Sequence, residues 1–335
     1  MNLANTMTPV AAEIVAECRE STTLPLVVAA PADLGDASAW AAGNLRWIED
    51  KLLRHGALLF RGFGLTEAPA FEAFTRSIAK DFPEFPEESS PRTRLNGAVF
   101  TSTDYPAAYP IQFHNEYSYS QCWPLRIFFC CLAPPATEGQ TPIADSRKVL
   151  NRLRPETREK FMRLGVMYRR NYMEGMGVSW QEAFLTGDRA TVEARCRQLG
   201  IAWEWLDDDQ LRTTQQAPAV ARHPATGERV WFNHGYFFNI HALEPLELRE
   251  FLLTQPEDDL STNTYYGDGS PIAPETIAEI AAAYAAEAVM FDWRPGDVML
   301  IDNMLSAHAR RPYSGPRKIV TVLADPCLRP SLPTL

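Results

Sequence analysis

The sequence has 335 residues, 46% of them hydrophobic, and a formal net charge of −10, enough to bury a substantial core as one large domain or two smaller ones. Charged residues at 22% and aromatics at 11% exclude extensive disorder, and 26 prolines against 18 glycines favour loops and extended segments over a long-helix bundle. The most hydrophobic run, Ile127 to Ala133, is too short for a bilayer span and meets Pro134 and Pro135, so no membrane partner is expected.

The first twenty residues carry Glu13, Glu17 and Glu20 against Arg19, without the positive start of a secretion signal. Residues 1–23 read as a leader, and the expected location is cytoplasmic. Leu24 to Ala29 and Ala57 to Phe63 are short apolar runs that predict strands, and Ser38 to Arg54 between them has helical spacing. Thr66 is positioned to cap a helix reaching about Lys80, followed by a Pro- and Ser-rich loop from Phe82 to Arg94. Strands are predicted at Ala98 to Ser102, Ile111 to His114 and Leu125 to Leu132, the last rich enough in Phe and Ile to be buried on both faces. Asn151 to Gly165 is helical in pattern but interrupted by Pro155, and Val166 to Tyr172 predicts a strand. A helix from Thr186 ends at Gly200, and Val220 to His223 with Arg229 to Phe232 predicts a hairpin. A helix over Pro274 to Ala288 precedes strands at Val289 to Trp293, Asp297 to Ile301 and Lys318 to Leu323.

Strands at both ends predict a β-rich α+β fold: one domain over residues 24–327, a long helical insertion at about 147–215, and a tail at 328–335. Six cysteines without a CxxC pair read as reduced thiols.

The charge is uneven. Arg147 to Arg170 holds nine basic residues against Glu156 and Glu159, a local +7 on a remainder of −17. So acidic a remainder disfavours nucleic acid as a partner. The basic segment is either a solvated helix face or a docking surface for an acidic protein.

In "IQFHNEYS", His114 and Glu116 are one residue apart and on a strand would share a face. Alone this pair has little weight, since about 0.75 His-x-acid pairs arise by chance in such a composition. Its weight comes from "VMLIDNMLSAHARRPYSGPRK", where a buried strand ends in Asp302 and Asn303, His308 follows, and Arg317 opens another strand. Two imidazoles and one carboxylate bind one face of iron(II) and leave positions open for a chelating cosubstrate and dioxygen. Arg317 can hold a far carboxylate bidentately, with Lys318, Arg310 or Arg311 as alternatives, and Thr141 in "EGQTPIADS" can add a hydroxyl.

With these residues in order, the chain resembles the iron(II)/2-oxoglutarate dioxygenases of the taurine dioxygenase class. The family pattern runs His-x-Asp/Glu, Gly-x-Thr, Asp-Asn, distal His and Arg, and His114, Glu116, Thr141, Asp302, Asn303, His308 and Arg317 occupy those places. The resemblance extends over about Leu24 to Ala324, through "LLRHGALLFRGF", "FTSTDYP", "TPIADSRKVL" and "YYGDGSPI", to the branch that looks like the syringomycin-biosynthesis aspartyl hydroxylase. Taurine dioxygenase itself has Asp at the place of Glu116, and its His-to-Arg spacing is slightly longer.

The resemblance implies a double-stranded β-helix (jelly-roll, cupin-like) core with flanking helices. It also implies Fe(II) held by His114, Glu116 and His308, with 2-oxoglutarate and O2 as cosubstrates. The expected reaction is hydroxylation, or desaturation, of an aliphatic C–H of an amino acid. Halogenation is not expected, because Glu116 fills the place left to chloride in the superfamily's halogenases. Substrate contacts are expected from Thr103, Asp104, Arg169, Asn171, Asn233 and His234. The substrate is a small molecule or an aminoacyl group tethered to an acidic carrier protein docking on Arg152, Arg154 and Arg158. The rival readings are a cupin-like isomerase or hydrolase, which would not need Arg317 and Thr141, and a non-catalytic metal-binding protein.

Overall fold

The computed structural model describes residues 16–17, 24–83, 93–102, 105–173, 177–206 and 210–329. Most of the leader and of the Phe82 to Arg94 loop, and residues 330–335 of the tail, lie outside them.

Two sheets face each other. The larger has eight strands, ordered Ala16–Glu17, Leu26–Ala29, Ala57–Arg61, Val298–Asp302, Cys122–Ala133, Lys318–Leu328, Val99–Thr101 and Arg94–Asn96. Cys122–Ala133 lies at its centre, paired antiparallel with Val298–Asp302 on one side and Lys318–Leu328 on the other. Its side chains alternate faces, so Ile127, Phe129 and Cys131 point into the space between the sheets while Phe128 and Cys130 point outwards under helices. The central strand is thus buried on both faces, as its composition predicts. The outer face is covered by helices Ala37–Gly43, Leu45–His55 and Ala68–Ile78, which bury Ile48, Phe71 and Phe74 against it. Full burial of each such side chain contributes about 1.5–3 kcal/mol.

The smaller sheet has three strands, Ile111–His114, Ser306–Arg310 and Ile143–Asp145, with Ser306–Arg310 in the middle. Together with the larger sheet it forms the jelly-roll. Helix Pro274–Glu287 packs beside it, and the hairpin Val220–Arg222/Arg229–Trp231 forms as predicted.

The differences from expectation have local causes. The helix expected over Ser38 to Arg54 is two helices, broken at Asn44, whose side chain turns back to donate to the Trp40 carbonyl at 2.8 Å. Thr66 does not cap the next helix; that helix starts at Ala68, with Glu67 at the cap position and a proline in its first turn. Val289 to Trp293 is not a strand: only Val289 pairs, with Ile143, while Phe291 and Trp293 turn into the core. The segment at 147–215 is not purely helical. Helices Ser146–Arg152, Pro155–Leu164, Trp180–Ala183 and Arg189–Leu199 alternate with strands of a four-stranded sheet, ordered Ala202–Trp205, Leu211–Ala217, Val166–Tyr172 and Thr262–Tyr266.

Candidate metal centre

The smaller sheet brings the two histidines together. Ile111–His114 and Ser306–Arg310 run antiparallel in a register that sets His114 directly opposite His308. Opposed residues in such a ladder have Cβ atoms about 4.5–5.5 Å apart, and the two imidazole centroids stand 4.3 Å apart. Glu116 arrives differently from the expected shared strand face. The strand ends at His114, and Glu116 lies in the following turn, just before Tyr117 in the left-handed region at φ 56°.

That turn is fixed from across the sheet. Asn303 Oδ1 accepts the Glu116 N–H at 2.7 Å, and its Nδ2 donates to the carbonyls of Glu116 at 2.8 Å and Pro124 at 2.9 Å. Asn115 Nδ2 returns a bond to the Asn303 carbonyl at 2.7 Å. Asp302 holds its own turn: Oδ1 accepts the N–H groups of Met304 and Leu305, and Oδ2 meets Nε2 of the buried His223 at 3.0 Å.

Ligand-type atoms of His114, Glu116 and His308 all lie within 4.8 Å of one another. His114 Nδ1 is 2.8 Å from the Gln112 carbonyl, which requires the ring proton there and leaves Nε2 as a lone-pair donor. That Nε2 is 3.6 Å from Glu116 Oε2, and His308 Nε2 is 3.9 Å from the same oxygen. Two imidazoles and one carboxylate, all with little exposure, suit a divalent transition metal.

A cavity of about 490 Å³ extends from these three residues past Phe129 to Thr141, Arg310 and Arg317. Arg317 Nε donates to the Gly139 carbonyl at 3.0 Å and Nη2 to Thr141 Oγ1 at 3.3 Å. Burial, then the nearby charge of Arg310, draws its pKa down to about 10. Arg310 lines the same cavity, but its guanidinium already donates to the carbonyls of Tyr105, Pro106 and Tyr109 at 2.7–2.9 Å. Arg311 pairs with Glu138 at the surface and Lys318 is exposed. Among the described residues no carboxylate pairs with Arg310 or Arg317.

The remaining expected contacts lie elsewhere. Thr103 and Asp104 are outside the described residues. His234 is buried behind His114, 5.7 Å between ring centroids, with Nδ1 2.7 Å from Ser118 Oγ. Burial and the neighbouring His114 hold its pKa well below the ordinary value. Asn233 binds the Ala219 carbonyl and the Gly235 N–H, and Asn171 binds the carbonyls of Asp258 and Leu260 and accepts from Arg212. Arg169 pairs with Asp258. None of these four lines the cavity with the histidines. Phe237, whose ring is 4.7 Å from that of His114, was not singled out from the sequence; in "GYFFN" it reads as ordinary core.

Part of the basic segment is paired within the chain. Arg147 contacts Asp145 and Glu228, Arg152 contacts Glu287, and Arg154 contacts Glu279 and Glu156.

A jelly-roll that gathers two imidazoles and a carboxylate in its interior has the donor set of the mononuclear non-haem iron oxygenases. The chain belongs to the taurine catabolism dioxygenase TauD, TfdA family, whose model matches residues 20–323, and it is an iron(II)- and 2-oxoglutarate-dependent dioxygenase. It is 38% identical over 309 residues to the dapdiamide synthesis protein DdaC of Enterobacter agglomerans, covering 90% of this chain and 94% of that one. It is 30% identical over 287 residues to a clavaminate synthase-like protein of Arabidopsis thaliana, covering 83% and 84%. Among solved structures, PvcB of Pseudomonas aeruginosa matches in fold with a TM-score of 0.52 at 18% identity, over 89% of this chain and 85% of that one.

Proposed function

We propose that this dioxygenase hydroxylates an aliphatic C–H of an amino acid in natural-product biosynthesis, with His114, Glu116 and His308 as the iron ligands and Arg317 with Thr141 as the seat of the far carboxylate of 2-oxoglutarate. The observation that carries it is the direct pairing of His114 with His308 beside Glu116, in a cavity whose other end is the Thr141–Arg317 pair. Iron(II) bound there supplies the redox chemistry that couples decarboxylation of 2-oxoglutarate to oxidation of the substrate.

The protein's part is placement. The Gln112 carbonyl fixes the His114 tautomer, so Nε2 faces the carboxylate. Asn303 fixes the backbone of Glu116. Ile127, Phe129 and Ile319 form apolar walls that limit water at the reacting centre. Arg317 offers a planar fork to an anion, with the Thr141 hydroxyl beside it. Arg310 serves poorly as that seat because it is spent on three carbonyls.

The likeness to DdaC, a protein of dapdiamide synthesis, supports a biosynthetic amino-acid substrate. The described cysteines are free thiols, which suits a reducing, cytoplasmic setting. A carrier-tethered aminoacyl substrate, docking through Arg152, Arg154 and Arg158, is the narrower form of this reading. The side chains of Arg152 and Arg154 are about half exposed, at 48% and 59%, so they can meet an acidic carrier while Glu279 and Glu287 stay in place behind them. Reversing the three charges then raises KM for carrier-bound substrate alone, and an unchanged KM removes the docking surface.

Anaerobic addition of Fe(II) and 2-oxoglutarate tests the main reading. The expected result is a visible charge-transfer band, lost in Glu116→Ala, together with a hydroxylation mass shift and succinate in air from candidate amino acids. Glu116→Ala with an unchanged hydroxylation rate overturns the ligand assignment.

A further inference from the structure

The segment that carries Glu116 joins Ile111–His114 to Cys122–Ala133. It makes two turns in succession, in which the Ser118 N–H donates to the Asn115 carbonyl at 3.1 Å and the Ser120 N–H to the Tyr117 carbonyl at 2.9 Å. Tyr117, in the middle, stands in the left-handed region at φ 56°, where a bulky side chain stays only if its surroundings hold it. On the Glu116 side that hold comes from Asn303, through the Glu116 N–H and carbonyl.

Arg329 closes the other side. It follows directly on strand Lys318–Leu328, whose pairing of Leu328 with Cys122 sets Arg329 beside Gln121, and its backbone N–H donates to the Gln121 carbonyl at 2.9 Å. Its guanidinium reaches back along the turns: Nη2 donates to the carbonyls of Ser118 at 2.8 Å and Ser120 at 3.0 Å, and Nε to that of Ser120 at 3.3 Å. The same group lies over the Trp123 ring, 5.0 Å from its centroid, which limits where it can swing. Hydrogen bonds from a charged donor are stronger than those from a neutral one. A rigid planar fork that meets two carbonyls also fixes their spacing, which a single point donor does not. Ser118 is tied a second time, its hydroxyl standing 2.7 Å from Nδ1 of His234, the ring behind His114.

We propose that Arg329 is a positioning residue for the metal centre, which acts through the turns at 115–120 to hold the Glu116 carboxylate beside His114 and His308. The proposal rests on Glu116 as an iron ligand. Glu116 reaches the histidines from a turn and not from the strand, so no ladder of the smaller sheet places it. Without Arg329 the carbonyls of Ser118 and Ser120 lose their common donor and Tyr117 is free to leave the left-handed region. That rotation carries Glu116 Oε2 away from the Nε2 atoms of His114 and His308, which stand 3.6 and 3.9 Å from it.

The test is a chelator competition for Fe(II) on the folded, anaerobic protein, with Tm measured alongside. Arg329→Met is expected to bind Fe(II) about tenfold more weakly than wild type, the lower end of what loss of an orienting group costs a metal site. Arg329→Lys, which keeps the charge without the fork, is expected to recover part of that loss. Arg61→Met controls for general loosening: Arg61 bonds the Asp297 carboxylate at 3.0–3.2 Å and the Asp292 carbonyl at 2.8 Å, and neither Arg61 nor Asp297 lines the metal cavity. It is expected to lower Tm and leave Fe(II) affinity unchanged. If Arg329→Met does not fold, Arg329→Lys against Arg61→Met decides. Wild-type affinity in the Arg329 variants, or an equal loss in Arg61→Met, overturns the proposal. Glu116→Ala separates it from the reading beneath it. Retained Fe(II) affinity in Glu116→Ala overturns the ligand assignment and this proposal together, whereas loss in Glu116→Ala with none in the Arg329 variants overturns the positioning role alone.

Discussion

Asn303 touches neither the cavity nor any imidazole, yet its side chain is spent on the Glu116 N–H, the Glu116 carbonyl and the Pro124 carbonyl. It is fully buried, so truncation leaves those groups without solvent to replace it. Each such loss costs about 1–3 kcal/mol, and loss of a group that orients a metal ligand typically lowers metal affinity roughly 10–100-fold. Asn303→Ala is therefore expected to weaken Fe(II) binding in that range in a chelator competition, and Asn303→Asp, which keeps only the acceptor, to fall between the two. Equal affinity in all three proteins would show that the Glu116 turn holds itself. The sequence marks Asp302-Asn303 as a strand end and as a place in the family pattern, but not as the clamp on the Glu116 turn, since the partner amide is 187 positions away. Arg317 stands out in the sequence for a different reason: its residue type and its place after His308 both suit a carboxylate. What the sequence left open was Arg310, whose donors the structure shows to be directed to three backbone carbonyls.

Among elements, those with strong local patterns matched expectation. Ala57–Arg61 is a continuous apolar run, and Pro274–Glu287 has both its proline start and its helical spacing. Ser306–Arg310 was not readable as a strand, because "SAHAR" has no β-branched or aromatic residue and owes its form to the neighbours on either side. Leu211–Ala217, "LRTTQQA", was hidden inside an expected helical insertion because its buried positions include Thr213 and Gln215, polar residues that carry no hydrophobic alternation. Helix Pro155–Leu164 is tied to Pro274–Glu287 through Glu279, which accepts from the Arg154 backbone and guanidinium and from Thr157 Oγ1. Partial burial acts to raise the Glu279 pKa, but these bonds hold it below the ordinary 4.5. A depressed carboxyl contributes stability that is fully present above the unfolded value and is lost as pH falls through the folded one. The difference in Tm between wild type and Glu279→Gln is therefore expected to be constant near neutrality and to close as pH falls below about 4.5. A difference that does not change with pH would assign the tie to packing alone.

Over the whole molecule, the net charge of −10 is a poor guide to what the interior prefers. The metal cavity contains Arg310 and Arg317 against one carboxylate, Glu116, so a dianionic cosubstrate enters a locally positive space within an acidic protein. A ligand that binds only the folded chain stabilises it by about 2.7 kcal/mol at a hundredfold excess over Kd. Thermal melts are expected to show two upward steps in Tm, one with Fe(II) and a further one with 2-oxoglutarate. Arg317→Met is expected to keep the first step and lose the second. Retention of both steps in that variant would move the cosubstrate seat away from Arg317.

The register that sets His114 against His308 also determines when in the life of the chain iron can be taken up. The two residues are 194 positions apart in the sequence, and the strand carrying His308 lies between the other two strands of its sheet. A nascent chain emerging from the ribosome carries His114 and Glu116 long before it has their third partner. Until then it holds two ligands on a sheet that lacks its middle strand. With His114, Glu116 and His308 as the proposed ligands, the complete iron site therefore forms only once the strand carrying His308 has entered the sheet.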